Sequence, residues 1–124
     1  MRVTFVIGAA LASLVPQVAL ARPTAPQIVC RVYPTAVQCR GSVVACTTCH
    51  SAAPQLNSYG VAVSGGLARA ASFEDELPAA LATTETADSD EDGRTNAEEL
   101  AEGTWPGNAA SSFAGPEVAA SEAD

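Results

Sequence analysis

The strongest constraint on the fold is a shortage of large apolar side chains once the N-terminal run is set aside. Residues 22–124 contain sixteen Leu, Ile, Val and Phe residues, under a fifth of that stretch. A small domain with so lean a core needs disulfides, a metal or a cofactor to hold it together. The composition therefore predicts that this chain contains at least one such support.

The N-terminus has the three parts of a secretory signal. Arg2 precedes an apolar run over residues 3–15, and the small-x-small cleavage site ALA occupies residues 19–21. An uncleaved membrane anchor is the alternative, because the run is nearly long enough to span a bilayer; Pro16 and Gln17 interrupt it. We predict a signal peptide over 1–21 and a periplasmic or secreted mature protein with no membrane contact after cleavage. In that compartment disulfides form and haem can be attached.

The segment CTTCH at residues 46–50 is the attachment signature of c-type haem. Two thiols at this spacing form thioethers with the haem vinyl groups, and the adjacent imidazole binds the iron. We predict covalent haem c on Cys46 and Cys49, with His50 as the axial iron ligand.

The other two cysteines, Cys30 and Cys39, close a short loop. We predict a structural disulfide between them. If no haem is attached, all four cysteines are free to pair, and three connectivities remain open.

The segment DSDEDGRTNAEE at residues 88–99 fits the twelve-residue calcium loop D-x-D-x-D-G-x5-E. Alternate acidic side chains of such a loop point inwards at the ion, and the last carboxylate closes the site. The glycine at the sixth position permits the sharp turn. The predicted ligands are the side chains of Asp88, Asp90, Asp92, Asn96 and Glu99 and the backbone carbonyl of Arg94.

Charge is divided sharply along the chain. Residues 22–73 carry four arginines and no acid, whereas residues 74–124 carry all fourteen acids and one arginine, Arg94. The acidic half argues against nucleic acid or anionic membrane as a partner. It suits a cation site.

We expect a small, mainly α fold, with short helices around a covalently attached haem, long loops and a C-terminal EF-hand-like calcium loop. Residues 22–87 would form the haem-binding, cytochrome c-like region, with 22–29 extended and 82–87 a polar linker. A helix is predicted from Pro54 to the glycine pair 65–66, and another after Ser72. Residues 88–106 would hold the calcium loop and a short helix at 98–102, and 107–124 a disordered acidic tail.

Two family resemblances rest on these segments. CTTCHSAAPQLNSYG, from residue 46, resembles haem-attachment segments of exported bacterial monohaem c-type cytochromes, which implies haem-dependent electron transfer. DSDEDGRTNAEELAEGTWPGN, from residue 88, resembles the calcium loops of thrombospondin type 3 and dockerin-like repeats. The order N-x-x-G, weak helix, DSDxDGxTNxEEL is also similar to temptin-like secreted proteins, disulfide-stapled and without haem, which implies a binding or structural role.

The mature chain departs from an ordinary monohaem cytochrome because it lacks the usual sixth iron ligands. It has no Met, no Lys and no His beyond His50. Tyr33, Tyr59, Asn57, a free thiol or the new α-amine at Arg22 remain as donors; otherwise the iron is five-coordinate or takes its ligand from outside the chain.

The favoured hypothesis is an exported c-type haem protein for electron transfer or small-ligand binding, with a structural calcium and a redox partner protein. It would be a carrier or binding protein more than an enzyme. A secreted, disulfide-stapled calcium-binding module without haem is the alternative. A thiol–disulfide enzyme using Cys46 and Cys49 is a third hypothesis, although no βαβ pattern surrounds the motif. The oligomeric state is left open.

Overall fold

The computed structural model describes residues 22–111, so the predicted signal peptide at 1–21 and residues 112–124 of the predicted tail lie outside the described residues. The elements in chain order are α1 (Ala25–Val32), β1 (His50–Ala52), β2 (Gln55–Leu56), α2 (Ser58–Gly65), α3 (Phe73–Thr84) and α4 (Asn96–Glu102). Two 3₁₀ turns lie at Val37–Cys39 and Cys46–Thr48. The prediction of a small, mainly α fold is confirmed at this level.

Helix α1 replaces the extended lead-in that the sequence predicted for 22–29. Pro26 lies in its first turn, where the missing N–H group costs nothing. Ile28 and Val29 are buried, so packing decides the conformation. The same helix carries Cys30, which forms the predicted disulfide with Cys39.

Helix α2 begins four residues later than predicted. Pro54 lies between the antiparallel strands β1 and β2, and the chain turns into α2 at Asn57. The Asn57 side chain accepts a hydrogen bond from the Gly60 nitrogen at 2.9 Å and so caps the helix. Tyr59 and Val63 are buried as expected, but Leu56 is 39 % exposed because it precedes the helix.

Helix α3 packs against both α1 and α2 and forms the centre of the fold. Ser72 caps it, accepting a hydrogen bond from the Asp75 nitrogen at 3.2 Å. It continues through Pro78 to Thr84, over part of the linker predicted at 82–87. Burial of one face outweighs the backbone hydrogen bond that the proline removes. The buried residues of that face are Leu77, Ala80, Leu81 and Thr84.

Helix α4 begins at Asn96, two residues before the start predicted at 98. Thr95 and Glu98 form a reciprocal capping box, and Gly103 ends the helix in the left-handed region at φ +87°. Within residues 22–111, none of the helices combines the length and the apolar character needed to cross a membrane. The core consists of Ile28, Val29, Ala36, Val44, Tyr59, Val63, Leu77, Ala80, Leu81 and Leu100.

The core is small, so the disulfide should contribute a measurable part of the stability. We expect the double variant C30A/C39A to lose about 2–3 kcal/mol of unfolding free energy, because a short closed loop restricts the unfolded chain. Urea denaturation of the two oxidised proteins measures this. Reductant should lower the wild-type midpoint and leave that of the variant unchanged; equal midpoints for the two oxidised proteins would contradict the prediction.

Candidate functional site

The C-x-x-C-H segment is compact and begins with a single 3₁₀ turn. The Cys49 nitrogen donates to the Cys46 carbonyl at 3.2 Å, and His50 follows as the first residue of β1. Cys46 is exposed, whereas Cys49 and His50 are partly buried. Neither thiol is in a disulfide within the described residues. One turn therefore brings the two thiols and the imidazole to the same part of the molecule.

Asn57 fixes this turn against helix α2. Its side-chain amide donates to the carbonyls of Thr47 and Thr48, each at 3.1 Å, while its side-chain oxygen caps the helix. Its backbone nitrogen donates to the Cys49 carbonyl at 2.9 Å. A Cβ atom at Gly60 would overlap that same carbonyl. The asparagine and glycine of the N-x-x-G run thus position the motif.

The His50 ring is oriented by the neighbouring strand. Its Nδ1 lies 3.2 Å from the carbonyl oxygen of Gln55. A carbonyl oxygen only accepts, so Nδ1 is the protonated nitrogen and donates. The lone pair of the imidazole is then on Nε2, the atom that would bind a metal. Metal-binding histidines are commonly held in this way by a backbone carbonyl.

Cys49 and His50 line a cavity of about 700 Å³. This volume is within the range of sites for small molecules and cofactors. The cavity lies between the cysteine motif, α2, α1 and α3. Its apolar lining consists of Ala25, Val29, Ala53, Pro54, Leu56, Gly60, Val63, Leu67, Ala71, Phe73, Leu77 and Leu81.

Charged groups also line the cavity. The Glu76 carboxylate accepts hydrogen bonds from the backbone nitrogens of residues 69–71 at 2.6–2.8 Å. These bonds, that from Ala71 foremost, lower the pKa of Glu76. They also hold Arg69 in the left-handed region, at φ +59°. Arg69 and Arg22 also belong to the lining, and neither forms an ion pair within the described residues.

Cys49 is poorly suited to act as the attacking thiol in thiol–disulfide exchange. Burial, with a smaller effect from Cys46, raises the pKa of Cys49 to about 11. Catalytic thiols of oxidoreductases have the opposite shift, because the thiolate is the nucleophile. The environment of Cys49 therefore disfavours this residue as the attacking thiol of a thiol–disulfide enzyme.

The acidic loop brings three predicted metal ligands together. Asp88, Asp90 and Asp92 each present a carboxylate oxygen within 4.8 Å of the other two. The loop turns at Gly93, whose φ is +95° and whose nitrogen donates to Asp88 at 2.8 Å. Three carboxylates converge without a cationic side chain among them, since Arg94 forms an ion pair with Glu102.

Glu99 lies outside the group of carboxylates within 4.8 Å of one another, but it is near enough to be affected by their charges, and it is fully buried. One of its oxygens accepts from the Thr104 hydroxyl at 3.3 Å. The other oxygen has no partner among the described residues, and the same is true of one oxygen of Asp90. Burial and then the charges of Asp90, Asp92 and Asp88 raise the pKa of Glu99 to about 7. Buried carboxylate oxygens without partners are costly, and a cation would satisfy them.

Asn96 differs from the other predicted ligands in its contacts. Its side chain donates to the Thr84 carbonyl at 2.7 Å and to the Ser89 hydroxyl at 2.9 Å. Its oxygen accepts from the Ser89 nitrogen at 3.2 Å. The side chain thus ties the loop to the end of α3 instead of joining the aspartates. Arg94 is predicted to bind the ion through its backbone carbonyl. Its backbone nitrogen donates to a carboxylate oxygen of Asp92 at 2.9 Å.

Comparisons with known proteins give no match. No family model, no curated protein and no solved structure matches this chain. The site therefore has to be interpreted from its own residues.

Sequence reasoning did not predict the structural roles of Asn57, Gly60 or Glu76. The N-x-x-G spacing after the cysteine motif was the available signal for Asn57 and Gly60. The only sequence signal for Glu76 was its position in the first turn of α3. That position does not predict its hydrogen bonds to the loop that precedes the helix.

The raised pKa of Glu99 predicts how the calcium-free protein responds to pH. The ordinary pKa is about 4.5 and the folded value about 7, so the folded state retains a proton that the unfolded state loses between these values. Stability should therefore fall as pH rises from 4.5 to 7 and then level off. Glu99→Gln should flatten this dependence and raise the melting temperature at pH 7.5.

Thermal melts in a chelator between pH 4 and pH 8 measure the effect. Glu91→Gln, which changes an exposed carboxylate of the same loop, is the matched control and should follow the wild-type curve. A Glu99→Gln protein with an unchanged pH profile would contradict the prediction.

Proposed function

We propose that this chain is an exported c-type haem protein, for electron transfer or small-ligand binding at the iron, with a structural calcium site. The observation that carries the proposal is the setting of His50. Its ring lines a largely apolar cavity of about 700 Å³ beside Cys49, and the Gln55 carbonyl leaves Nε2 as the metal-binding atom. These are the features that a protein-bound haem needs on its proximal side.

The residues of this chain would hold the group in three ways. Cys46 and Cys49 would bind its edge as thioethers, and His50 would bind the iron. The apolar side chains of α1, α2 and α3 would exclude water from its faces. Arg69, held in place through Glu76, would pair with its carboxylates. Haem, once bound, supplies one-electron transfer or ligand binding at iron.

Calcium would complete the acidic loop. Asp88, Asp90, Asp92 and Glu99 would bind it, and the unpartnered oxygens of Asp90 and Glu99 support this assignment. Oxygen ligands of this kind are those that calcium prefers. The loop lies between α3 and α4, so the ion would join these two helices. This is a structural role, in keeping with the single loop.

A secreted calcium-binding module without haem is the second candidate. It is favoured by the absence of a methionine, lysine or second histidine in residues 22–124, because ordinary electron carriers use such a side chain as the second axial ligand. The disulfide and the calcium loop would then be the principal supports of the fold.

Covalent haem attachment is tested with two pairs of cysteine substitutions. In an exporting host with haem-attachment machinery, the wild type should give a haem-stained band on a denaturing gel and carry the mass of one haem. C46A/C49A should lose both signals, and hydrogen exchange over residues 40–70 should increase because the apolar cavity loses its occupant. C30A/C39A is the matched control and should retain the stain.

An unstained wild-type protein with the mass of the mature polypeptide alone would exclude the haem proposal. It would favour the calcium-binding module.

Calcium binding is tested on the same protein by adding a chelator. Removal of calcium should lower the melting temperature by several degrees, since a ligand bound only to the folded state stabilises it. Hydrogen exchange should increase over residues 88–103. Glu99→Gln should abolish the calcium-dependent increment, whereas Glu91→Gln should retain it. A wild-type melt that is the same with calcium and with chelator would count against the site.

A further inference from the structure

A haem iron held by His50 has few possible second ligands in this chain. His50 is the sole histidine, the chain has no lysine, and its one methionine is Met1, within the predicted signal. The four cysteines are used in the disulfide and in the proposed thioethers. Tyr33, Tyr59, Asn57 and the α-amine created at Arg22 by signal cleavage are left, besides the Glu76 carboxylate of the cavity lining, whose oxygens already accept hydrogen bonds from the backbone nitrogens of residues 69–71.

Three of these donors do not line the cavity. Burial raises the pKa of Tyr33 and of Tyr59, so both phenols remain neutral and are poor iron ligands. The side chain of Asn57 is occupied by the carbonyls of Thr47 and Thr48 and by its cap on α2.

Arg22, in contrast, is part of the cavity lining. Its guanidinium group lies 4.4 Å from the centroid of the Phe73 ring at the start of α3. Its carbonyl accepts a hydrogen bond from the Ala25 nitrogen at 3.1 Å. Two positions on, the Thr24 hydroxyl donates to Glu74 at 3.1 Å. These contacts anchor residues 22–24 beside the cavity.

The backbone nitrogen of Arg22 is also chemically available. Because Pro23 follows, Arg22 is disfavoured from joining helix α1. Within residues 22–111 its nitrogen donates no hydrogen bond. The predicted cleavage after Ala21 would convert this nitrogen into a primary amine, whose neutral form has a lone pair for a metal.

We propose that the α-amine of Arg22, freed by signal cleavage, would be a second protein ligand of the haem iron, in addition to His50. The inference rests on the proposed haem function and on cleavage at this bond. It chooses between the two activities proposed for the site, because an iron with two protein ligands favours electron transfer over the binding of external ligands. It also makes export a requirement for the finished site, since the ligand does not exist in the uncleaved chain.

The absence of lysine gives a direct test. The α-amine is the sole primary amine of the mature chain, so an acetylating N-hydroxysuccinimide ester modifies it selectively. The exported protein is analysed by intact mass, for its N-terminus and its haem, and its ferric spectrum is recorded. We expect a six-coordinate low-spin iron that becomes high-spin on acetylation and then binds added imidazole.

Two variants separate the amine from the side chain beside it. Arg22→Gln removes the guanidinium group but retains the α-amine, so its iron should stay low-spin. Two glycines inserted between Ala21 and Arg22 displace the amine and should give a high-spin iron without acetylation.

The results that would refute the proposed function differ from those that would refute the inference alone. A protein without haem would refute the proposed function and the inference with it. Haem in a protein whose N-terminus is not Arg22 would overturn the inference alone. So would an iron that is high-spin before acetylation, or low-spin and insensitive to it.

Discussion

The geometry of the proposed haem site depends on the hydrogen bonds of one side chain, that of Asn57. Its amide holds the carbonyls of Thr47 and Thr48, and its oxygen begins helix α2. A partly buried amide that satisfies two carbonyls and a helix terminus at once leaves the cysteine turn little freedom. Because Gly60 has no side chain, the first turn of α2 can approach the Cys49 carbonyl. The positions of the cysteines and of His50 are therefore set by the residues that follow them.

The cavity accounts for the arrangement of three helices in a chain with few large apolar side chains. Helices α1, α2 and α3 direct much of their limited apolar surface towards a common space of about 700 Å³ instead of filling it themselves. Interiors of proteins are normally close-packed, and voids lower stability. A bound apolar group of suitable size would complete the core. Folding of this chain would then depend on binding of the cofactor.

Local signals predicted part of the fold well, and tertiary packing decided the rest. Ser72 and Gly103 mark helix ends in the sequence and mark them in the structure, because a cap acts within one turn; the Thr95 cap of α4 was not predicted. Helix α1 was missed because its proline-rich sequence has weak local preference, and contacts with α3 hold it. The fit of the acidic loop to its pattern places three aspartates together, but the burial of Glu99 depends on packing distant in sequence.

Helix α3 connects the two proposed sites. Its Leu77 and Leu81 line the cavity, and its last turn supplies the Thr84 carbonyl to the buried amide of Asn96. The acidic loop begins four residues after this carbonyl and returns to it through Asn96. An ion that neutralises the loop carboxylates would thus stabilise the C-terminal end of the helix whose middle forms the cavity wall. The division of charge along the sequence corresponds in part to this arrangement. Four of the fourteen acids are proposed calcium ligands, and two of the four arginines of residues 22–73, Arg22 and Arg69, line the cavity.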